Sequence, residues 1–221
     1  NSHREQEALH YLQRALELDP TSNETHRFLG AALLNLGNTP KAIQHLQQSL
    51  AINPNDAEAR GHLGVALVSQ GRPAEAVKHL LARQVPANKV TIGAAMYGRG
   101  WKTVSGVKNG NPFTGTGGEG IAGSWEKGIE DYKKIESQLM GGPNGSGANG
   151  YTLYWDEQAK ASYVWNPATT SLVSFDTARS VKAKGDLIRQ YGLGGIFAWE
   201  LDADNGQILN AMHQRLGHPQ Q

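Results

Sequence analysis

A 34-residue period in the first part of the chain most constrains what it can fold into. Pro20 and Pro54 lie 34 residues apart, and each ends a similar phrase, ALELDP and LAINP. The residues between and after these prolines have the apolar spacing of helices, interrupted by glycine and proline. A unit of this length contains two short helices that bury their apolar faces by stacking on neighbouring units. The period therefore predicts an array of helical hairpins.

The positions within the unit resemble those of tetratricopeptide repeats. Leu29 and Gly30 stand where two helices of such a repeat cross closely, and Leu63 and Gly64 take the same places one repeat later. The resemblance predicts an all-α region over 1–85. It consists of a half repeat at 1–20 and full repeats at 21–54 and 55–85. Because the chain opens in mid-repeat without a starting Met, we expect it to be a fragment or a processed product.

Such an array implies a concave surface that holds a peptide or protein partner. A spacer or a dimerisation arm is the alternative, and the sequence leaves the two open. The side chains predicted to face the groove belong to the first helix of each full repeat: Glu24, Arg27, Leu34, Asn35, Glu58, Val65 and Val68. His45 and His79 occupy equivalent repeat positions, with His62 between them. We expect all three to be solvated on outer surfaces and to bind no metal.

The make-up of the chain changes sharply near residue 86. Five of the 27 glycines precede it, and all 5 Trp residues follow it. We therefore predict a second structural unit, 86–221, with its own core.

The overall composition excludes several classes of function. The formal net charge of +1 indicates no nucleic-acid partner, and no apolar stretch is long enough to span a membrane. Zero cysteines exclude disulfides and thiolate metal sites.

The second half opens on KVTIGAAMYGRGW, residues 89–101. Apolar residues alternate along this segment, which predicts a buried strand with Tyr97 and Arg99 at its C-terminal end. Residues 124–139 have helical spacing with Ser124 as the N-cap, and a second helix is predicted to begin after Asp176. The other predicted elements are three strands at YTLYWD, ASYVWN and SLVSF, a strand at GGIFAWEL and a last helix at 205–216.

The segments MYGRGW, GSWEKGIEDY, FDTARSV and GGIFAWELDADNG resemble the C-terminal part of family 18 glycoside hydrolases, the chitinases. The resemblance implies that this half is α/β and forms the last quarter of a (β/α)8 barrel. It also implies an α+β insertion domain at about 101–175, which in this family forms one wall of the substrate cleft. The implied substrate class is chitin or related N-acetylglucosamine oligosaccharides.

The resemblance assigns sugar contacts to five side chains: Tyr97, Arg99, Trp125, Glu126 and Trp199. A flat indole stacks well on the apolar face of a sugar ring. The catalytic motif of the family, DxxDxDxE on the fourth barrel strand, does not occur in this sequence. We therefore predict no catalytic residue, no chitin hydrolysis by the chain alone and weak sugar binding at most. The resemblance implies no cofactor and no metal, and Asp202, Asp204 and Gly206 are predicted to cap a helix.

Six of the eight barrel strands have no counterpart in the sequence. Four apolar side chains are therefore expected to face the barrel interior without the layers they would pack against: Ile92, Met96, Ile196 and Ala198. Their exposure predicts self-association.

The alternative function is an interaction scaffold that binds a peptide through the repeats. Chitinase resemblance implies secretion, yet NSHREQEALH has no signal-peptide pattern, so the compartment is left open.

Overall fold

The computed structural model describes residues 2–70 and 72–217, with side chains from residue 7 onward. Gly71, which the repeat pattern aligns with Gly37, lies outside the described residues. The chain divides into two compact units, and it passes from one to the other between Pro86 and Ala87. Helices come first and a strand-rich region follows, as the sequence predicts.

The first unit is helical. Its helices are α1 (Ser2–Leu18), α2 (Asn23–Asn35), α3 (Thr39–Ile52), α4 (Ala57–Ser69) and α5 (Pro73–Ala82). The Ser22 side chain caps α2 by accepting the Thr25 N–H at 3.2 Å, and Asp56 caps α4 by accepting the Ala59 N–H at 2.9 Å. Leu46, Leu63 and other buried side chains form the core between the helices. α2 packs on α3, and α4 packs on α5, so the four helices form two hairpins.

The three histidines expected to be solvated, His45, His62 and His79, are each half-buried. His45 is half-buried, and its Nδ1 lies 3.0 Å from Nδ1 of the buried His26. The other nitrogen of His26, Nε2, donates to the Pro20 carbonyl at 3.3 Å, so in the neutral pair His45 donates to His26. His79 is also half-buried, and burial lowers its pKa, with a further contribution from Arg60. Stacking of the two helices of a hairpin encloses side chains that the repeat pattern places outside.

The second unit contains seven strands within the described residues. They are β1 (Thr91–Ala95), β2 (Tyr97–Trp101), β3 (Ile129–Asp131), β4 (Thr152–Asp156), β5 (Ala161–Asn166), β6 (Ser171–Phe175) and β7 (Gly195–Trp199). Its helices are α6 (Tyr132–Lys134), which continues as a π-helical turn at Ile135–Met140, α7 (Ala178–Tyr191) and α8 (Gln207–Leu216). Short 3-10 turns lie at Ala87–Lys89, Pro112–Thr114 and Leu201–Ala203.

These strands form two separate sheets in the described part of the chain. β1 and β7 pair in parallel, with Ala94 opposite Ala198. The other five strands form an antiparallel sheet in the order β3-β2-β6-β5-β4. β1 and β2 are consecutive, so the one strand predicted over 89–101 is divided at Met96 between the two sheets. The parallel pair with its helices is the barrel-like part, and the antiparallel sheet is the insertion.

One hydrophobic core joins the two sheets of the second unit. Met96, Tyr132, Val164, Val173 and Ile208 are fully buried members of it. Ile196 and Ala198 pack against this core, and Met96 is part of it. All three side chains were expected to face an open barrel interior. The expectation was wrong because side chains alternate along β7, and it is Phe197 and Trp199 that point the other way and are exposed.

Two predicted helix starts are also wrong. The helix expected from Ser124 begins at Tyr132, because residues 129–131 form β3 and Gly128, at φ 90°, precedes it in a left-handed conformation. Thr177, not Asp176, caps α7 and forms a capping box with Ser180. Asp176 instead accepts the Ala95 N–H at 3.1 Å and pairs with Lys184.

Asp204 does bond to the start of α8, as predicted for helix capping. Its carboxylate accepts the N–H groups of Ile208 and Leu209 at 3.3 and 3.0 Å. Among the side chains described, no group of three or more histidine, aspartate or glutamate residues could hold a metal ion. No helix in residues 2–70 and 72–217 is long and apolar enough to cross a bilayer.

Candidate functional site

The site is organised by the backbone of Met96, at the junction of β1 and β2. Its N–H donates to the Trp199 carbonyl at 2.8 Å, and its carbonyl accepts the Tyr132 N–H at 3.0 Å. The end of β7 and the start of α6 are thereby held on either side of the same residue. Because the Met96 side chain is fully buried, this junction belongs to the core and is held rigidly.

Tyr97 and Arg99 project from β2 onto the exposed face of the antiparallel sheet. Tyr97 lies opposite Asp131 of β3, and Arg99 lies between strands β3 and β6. The alternating Gly98 faces the core, where an added Cβ would come within 2.5 Å of Ile135 Cδ1. The YGRG pattern thus brings β2 close to the core on one face. On the other face it presents a phenol and a guanidinium.

Trp125 stands beside this pair on the loop before β3. Its indole N–H donates to the Asp131 carboxylate at 3.0 Å, while 73% of the residue is exposed. Asp131 itself is buried, and Lys133 Nζ lies 3.6 Å from its other oxygen. The ring is therefore anchored at its polar edge with much of its apolar surface free.

Trp199 ends β7 with its ring directed away from the core, and it is 62% exposed. The peptide bond to Glu200 is cis. The backbone N–H of Met96 connects the Trp199 carbonyl to the start of β2, and Asp131, which bonds to the Trp125 indole, lies opposite Tyr97. Arg99 follows Tyr97 on the same face of β2, and we call Tyr97, Arg99, Trp125, Asp131 and Trp199 the candidate cluster. Glu126 is exposed, and its carbonyl accepts the Ile129 N–H at 3.1 Å in the turn before β3.

Asp131 is the member of this cluster that the sequence does not predict. It lies within the helix predicted over 124–139, where no role is assigned to it. Gly128 was the available signal, because a glycine four residues into a proposed helix weakens that interpretation.

Below the cluster, Tyr132 is fully buried, and its hydroxyl lies 3.4 Å from Gln207 Oε1. Burial raises the pKa of Tyr132, and the nearby Glu136 carboxylate raises it further. Glu136 is also buried and accepts the side-chain N–H of Asn205 at 2.9 Å. The hydroxyl therefore stays protonated, and these contacts attach the start of α8 to the insertion.

The residues predicted to line the repeat groove divide into two groups. Arg27 is half-buried, pairs with Glu58 and lies 3.7 Å from Asp56, so it joins successive repeats. Leu34 packs against the helical core. The remaining predicted groove residues are exposed: Glu24, Asn35, Val65 and Val68. Val65 and Val68 are 60% and 59% exposed, so α4 presents an apolar strip.

Sequence profiles of known families match both units. The profile of glycosyl hydrolases family 18 matches residues 67–204, and two tetratricopeptide repeat profiles match residues 4–57 and 36–88. The family 18 match begins within α4, so it overlaps the repeats.

Curated relatives and solved structures agree with these matches. Chitinase A of Pseudoalteromonas piscicida is 47% identical over 145 residues, which is 62% of this chain and 18% of that protein. A probable endochitinase of Orgyia pseudotsugata multicapsid polyhedrosis virus is 45% identical, covering 62% of this chain and 23% of that one. The chain thus spans about a fifth of the length of these relatives.

Among solved structures, the chitinase Chi1 of the Yersinia entomophaga toxin complex has a TM-score of 0.54 at 33% identity, covering 66% of this chain and 29% of that one. Chitinase ChiA74 from Bacillus thuringiensis has a TM-score of 0.54 at 26% identity, with coverages of 67% and 26%. The matched length, the fold and the motifs agree: this chain belongs to glycosyl hydrolases family 18 and carries tetratricopeptide repeats ahead of its chitinase-like segment.

Proposed function

We propose that the chitinase-like segment binds N-acetylglucosamine oligosaccharides without hydrolysing them. The observation that supports this most directly is the pair of exposed indoles: that of Trp125, whose N–H donates to Asp131, and that of Trp199, whose backbone carbonyl accepts the Met96 N–H. An indole already anchored by its N–H loses little side-chain entropy when a sugar stacks on it. Arg99 on the same face of β2 offers donors to the hydroxyl and acetamido oxygens of the sugar.

The absence of hydrolysis follows from the residue types present. The family motif DxxDxDxE, which supplies the general acid and the acids that orient the acetamido group, is not in this sequence. A positioned general acid alone contributes about 10²–10⁴-fold to rate. The exposed Glu126 and Glu200 are not accompanied by the aspartates that this chemistry requires.

Weak affinity is expected, because one wall of a cleft covers only one side of each sugar ring. A millimolar dissociation constant corresponds to about −4 kcal/mol. Tryptophan fluorescence of the full chain titrated with chitotetraose measures it. Trp199→Ala should remove most of the response, whereas Trp155→Phe should preserve it, since Arg179 lies over the Trp155 ring at 3.9 Å outside the cluster. Equal responses of the native protein and Trp199→Ala would reject Trp199 as the platform.

Release of reducing ends from chitin oligomers tests the absence of hydrolysis. The native chain should release none above the buffer rate. Activity that persists through repeated purification and is lost in Glu126→Gln or Glu200→Gln would assign the chain a catalytic acid and overturn the proposal.

A second candidate function, peptide binding by the repeats, is favoured by the exposed apolar strip of Val65 and Val68. These residues lie one helical turn apart on α4, and an extended peptide with apolar side chains would cover both. Methyl NMR of the full chain with peptide pools of differing composition tests it. Shifts confined to these two valines, and lost in Val68→Asp, would support the groove, whereas unchanged spectra with every pool would exclude it.

A further inference from the structure

Lys133 is the second residue of α6, and its ammonium group contacts two different segments of the second unit. Its Nζ lies 3.6 Å from the Asp131 carboxylate, whose other oxygen accepts the Trp125 indole N–H at 3.0 Å. The same Nζ donates to the Asp202 carbonyl at 2.7 Å. One cation therefore contacts both the acid that anchors Trp125 and the turn that follows Trp199.

The contact with Asp131 compensates a buried charge. Asp131 is buried, and its backbone N–H donates to the Ser124 Oγ at 3.2 Å. A buried carboxylate is costly unless a cation and hydrogen bonds compensate its charge. Loss of the Lys133 ammonium would favour rotation of this carboxylate toward solvent. Its bond to the Trp125 indole would then be weakened or lost.

The contact with Asp202 holds the turn after Trp199. In this turn, Leu201–Ala203, the Ala203 N–H donates to the Glu200 carbonyl at 3.2 Å. The backbone before it is held by the pairing of β7 with β1. Because most of the Trp199 side chain is exposed, the position of its ring depends on the backbone on either side. The ammonium of Lys133 fixes the later side.

The two indoles are carried by backbone positions that lie close together. Trp199 pairs with Ala95, and Tyr97, two residues later, lies opposite Asp131. Paired strands are about 4.8 Å apart and a strand rises about 3.3 Å per residue, so the backbones of Trp199 and Asp131 lie within about 17 Å of each other. A chain of several linked sugar rings can span this separation.

We infer that Lys133 is a positioning residue for oligosaccharide binding: it holds the indoles of Trp125 and Trp199 in one arrangement, so that a single oligosaccharide stacks on both. The inference rests on the oligosaccharide binding proposed above. Once the first indole has bound one ring, a fixed second indole meets a linked ring in an intramolecular step, which raises the overall affinity. Long oligosaccharides should therefore bind more tightly than a disaccharide, and the difference should depend on Lys133.

The test follows both indoles of the full chain by NMR. The indole N–H signals of isotope-labelled protein, assigned with Trp125→Phe and Trp199→Phe, are titrated with chitobiose and with chitotetraose. In the native protein both signals should give the same dissociation constant for chitotetraose, at least about fivefold below that for chitobiose. In Lys133→Met the two signals should give different dissociation constants, and the affinity for chitotetraose should fall close to that for chitobiose.

Two further variants make the test specific. Lys133→Arg supplies donors for both acceptors and should restore the native pattern. Lys134→Met is the matched control, because the Lys134 side chain is 44% exposed against 45% for Lys133 and its Nζ lies 3.4 Å from Glu130. It should leave both titrations unchanged. Without sugar, exchange of the Ala203 amide should quicken at least about threefold in Lys133→Met and in neither of the other two variants.

The possible failures can be told apart. Equal dissociation constants at the two indoles of Lys133→Met, with native affinity, would overturn the inference and leave oligosaccharide binding intact. A defect that Lys133→Arg does not restore, or that Lys134→Met reproduces, would also overturn it, because a general loss of helix stability would then explain the effect. If chitotetraose shifted neither indole signal of the native protein, the proposed binding itself would be rejected and the inference with it.

Discussion

Gly30 and Gly64 occupy the same place in successive repeats, yet the two positions leave different room for a side chain. A Cβ added at Gly30 would lie 2.5 Å from Leu46 Cγ and 3.2 Å from the Ala42 carbonyl oxygen. A Cβ at Gly64 would meet nothing closer than 3.9 Å. The same substitution, glycine to alanine, should therefore have opposite effects on stability at the two positions.

The magnitudes follow from two competing contributions. Alanine in a helix interior is more favourable than glycine by about 0.8–1.0 kcal/mol, so Gly64→Ala should stabilise the repeats by about that amount. At Gly30 the same gain is opposed by overpacking against the fully buried Leu46, which costs about 1–3 kcal/mol. Gly30→Ala should therefore lower the free energy of unfolding by up to about 2 kcal/mol.

Thermal unfolding of the full chain, followed by far-ultraviolet circular dichroism, measures both variants. One kcal/mol corresponds to about 4–8 °C in Tm for a unit of this size. We expect Tm of the helical transition to rise in Gly64→Ala and to fall in Gly30→Ala. If both variants raised Tm by the same amount, the close approach of α3 to Gly30 would be refuted.

Three further changes have directions set by single contacts. Burial and the adjacent His26 lower the pKa of His45, so below about pH 6.5 the unfolded chain binds a proton that the folded chain does not. Stability should therefore fall from about pH 7.5 to about pH 5.5 in urea titrations, and a His45→Gln variant with an equally steep decline would contradict this. Thr177→Ala removes the cap of α7 and should lower the free energy of unfolding by about 1 kcal/mol in urea, while Thr177→Ser should retain it. Asp131→Ala leaves the Trp125 indole N–H without its acceptor and should weaken chitotetraose binding several-fold by fluorescence, unlike Asp131→Asn, which keeps an acceptor oxygen. An unchanged affinity in Asp131→Ala would show that anchoring of Trp125 is not needed.

The sequence by itself determined the kinds of element and the families. The period between Pro20 and Pro54 specified the helical hairpins because stacking repeats leave a regular trace in apolar spacing. The alternation around Met96 and the motifs near Trp199 specified strands of a chitinase-like segment. These features are local, so each can be identified from a window of sequence without knowing what the window packs against.

Only the tertiary structure decided which faces are covered and which side chains meet. From the sequence, Asp131 is predicted to lie in a helix and His45 in solvent, whereas Asp131 lies opposite Tyr97 and His45 contacts His26. The covered face of β7 was likewise assigned wrongly. Each of these outcomes depends on a partner distant in sequence. Alternation along a strand shows that two faces differ, but the element packed on one of them decides which face is buried.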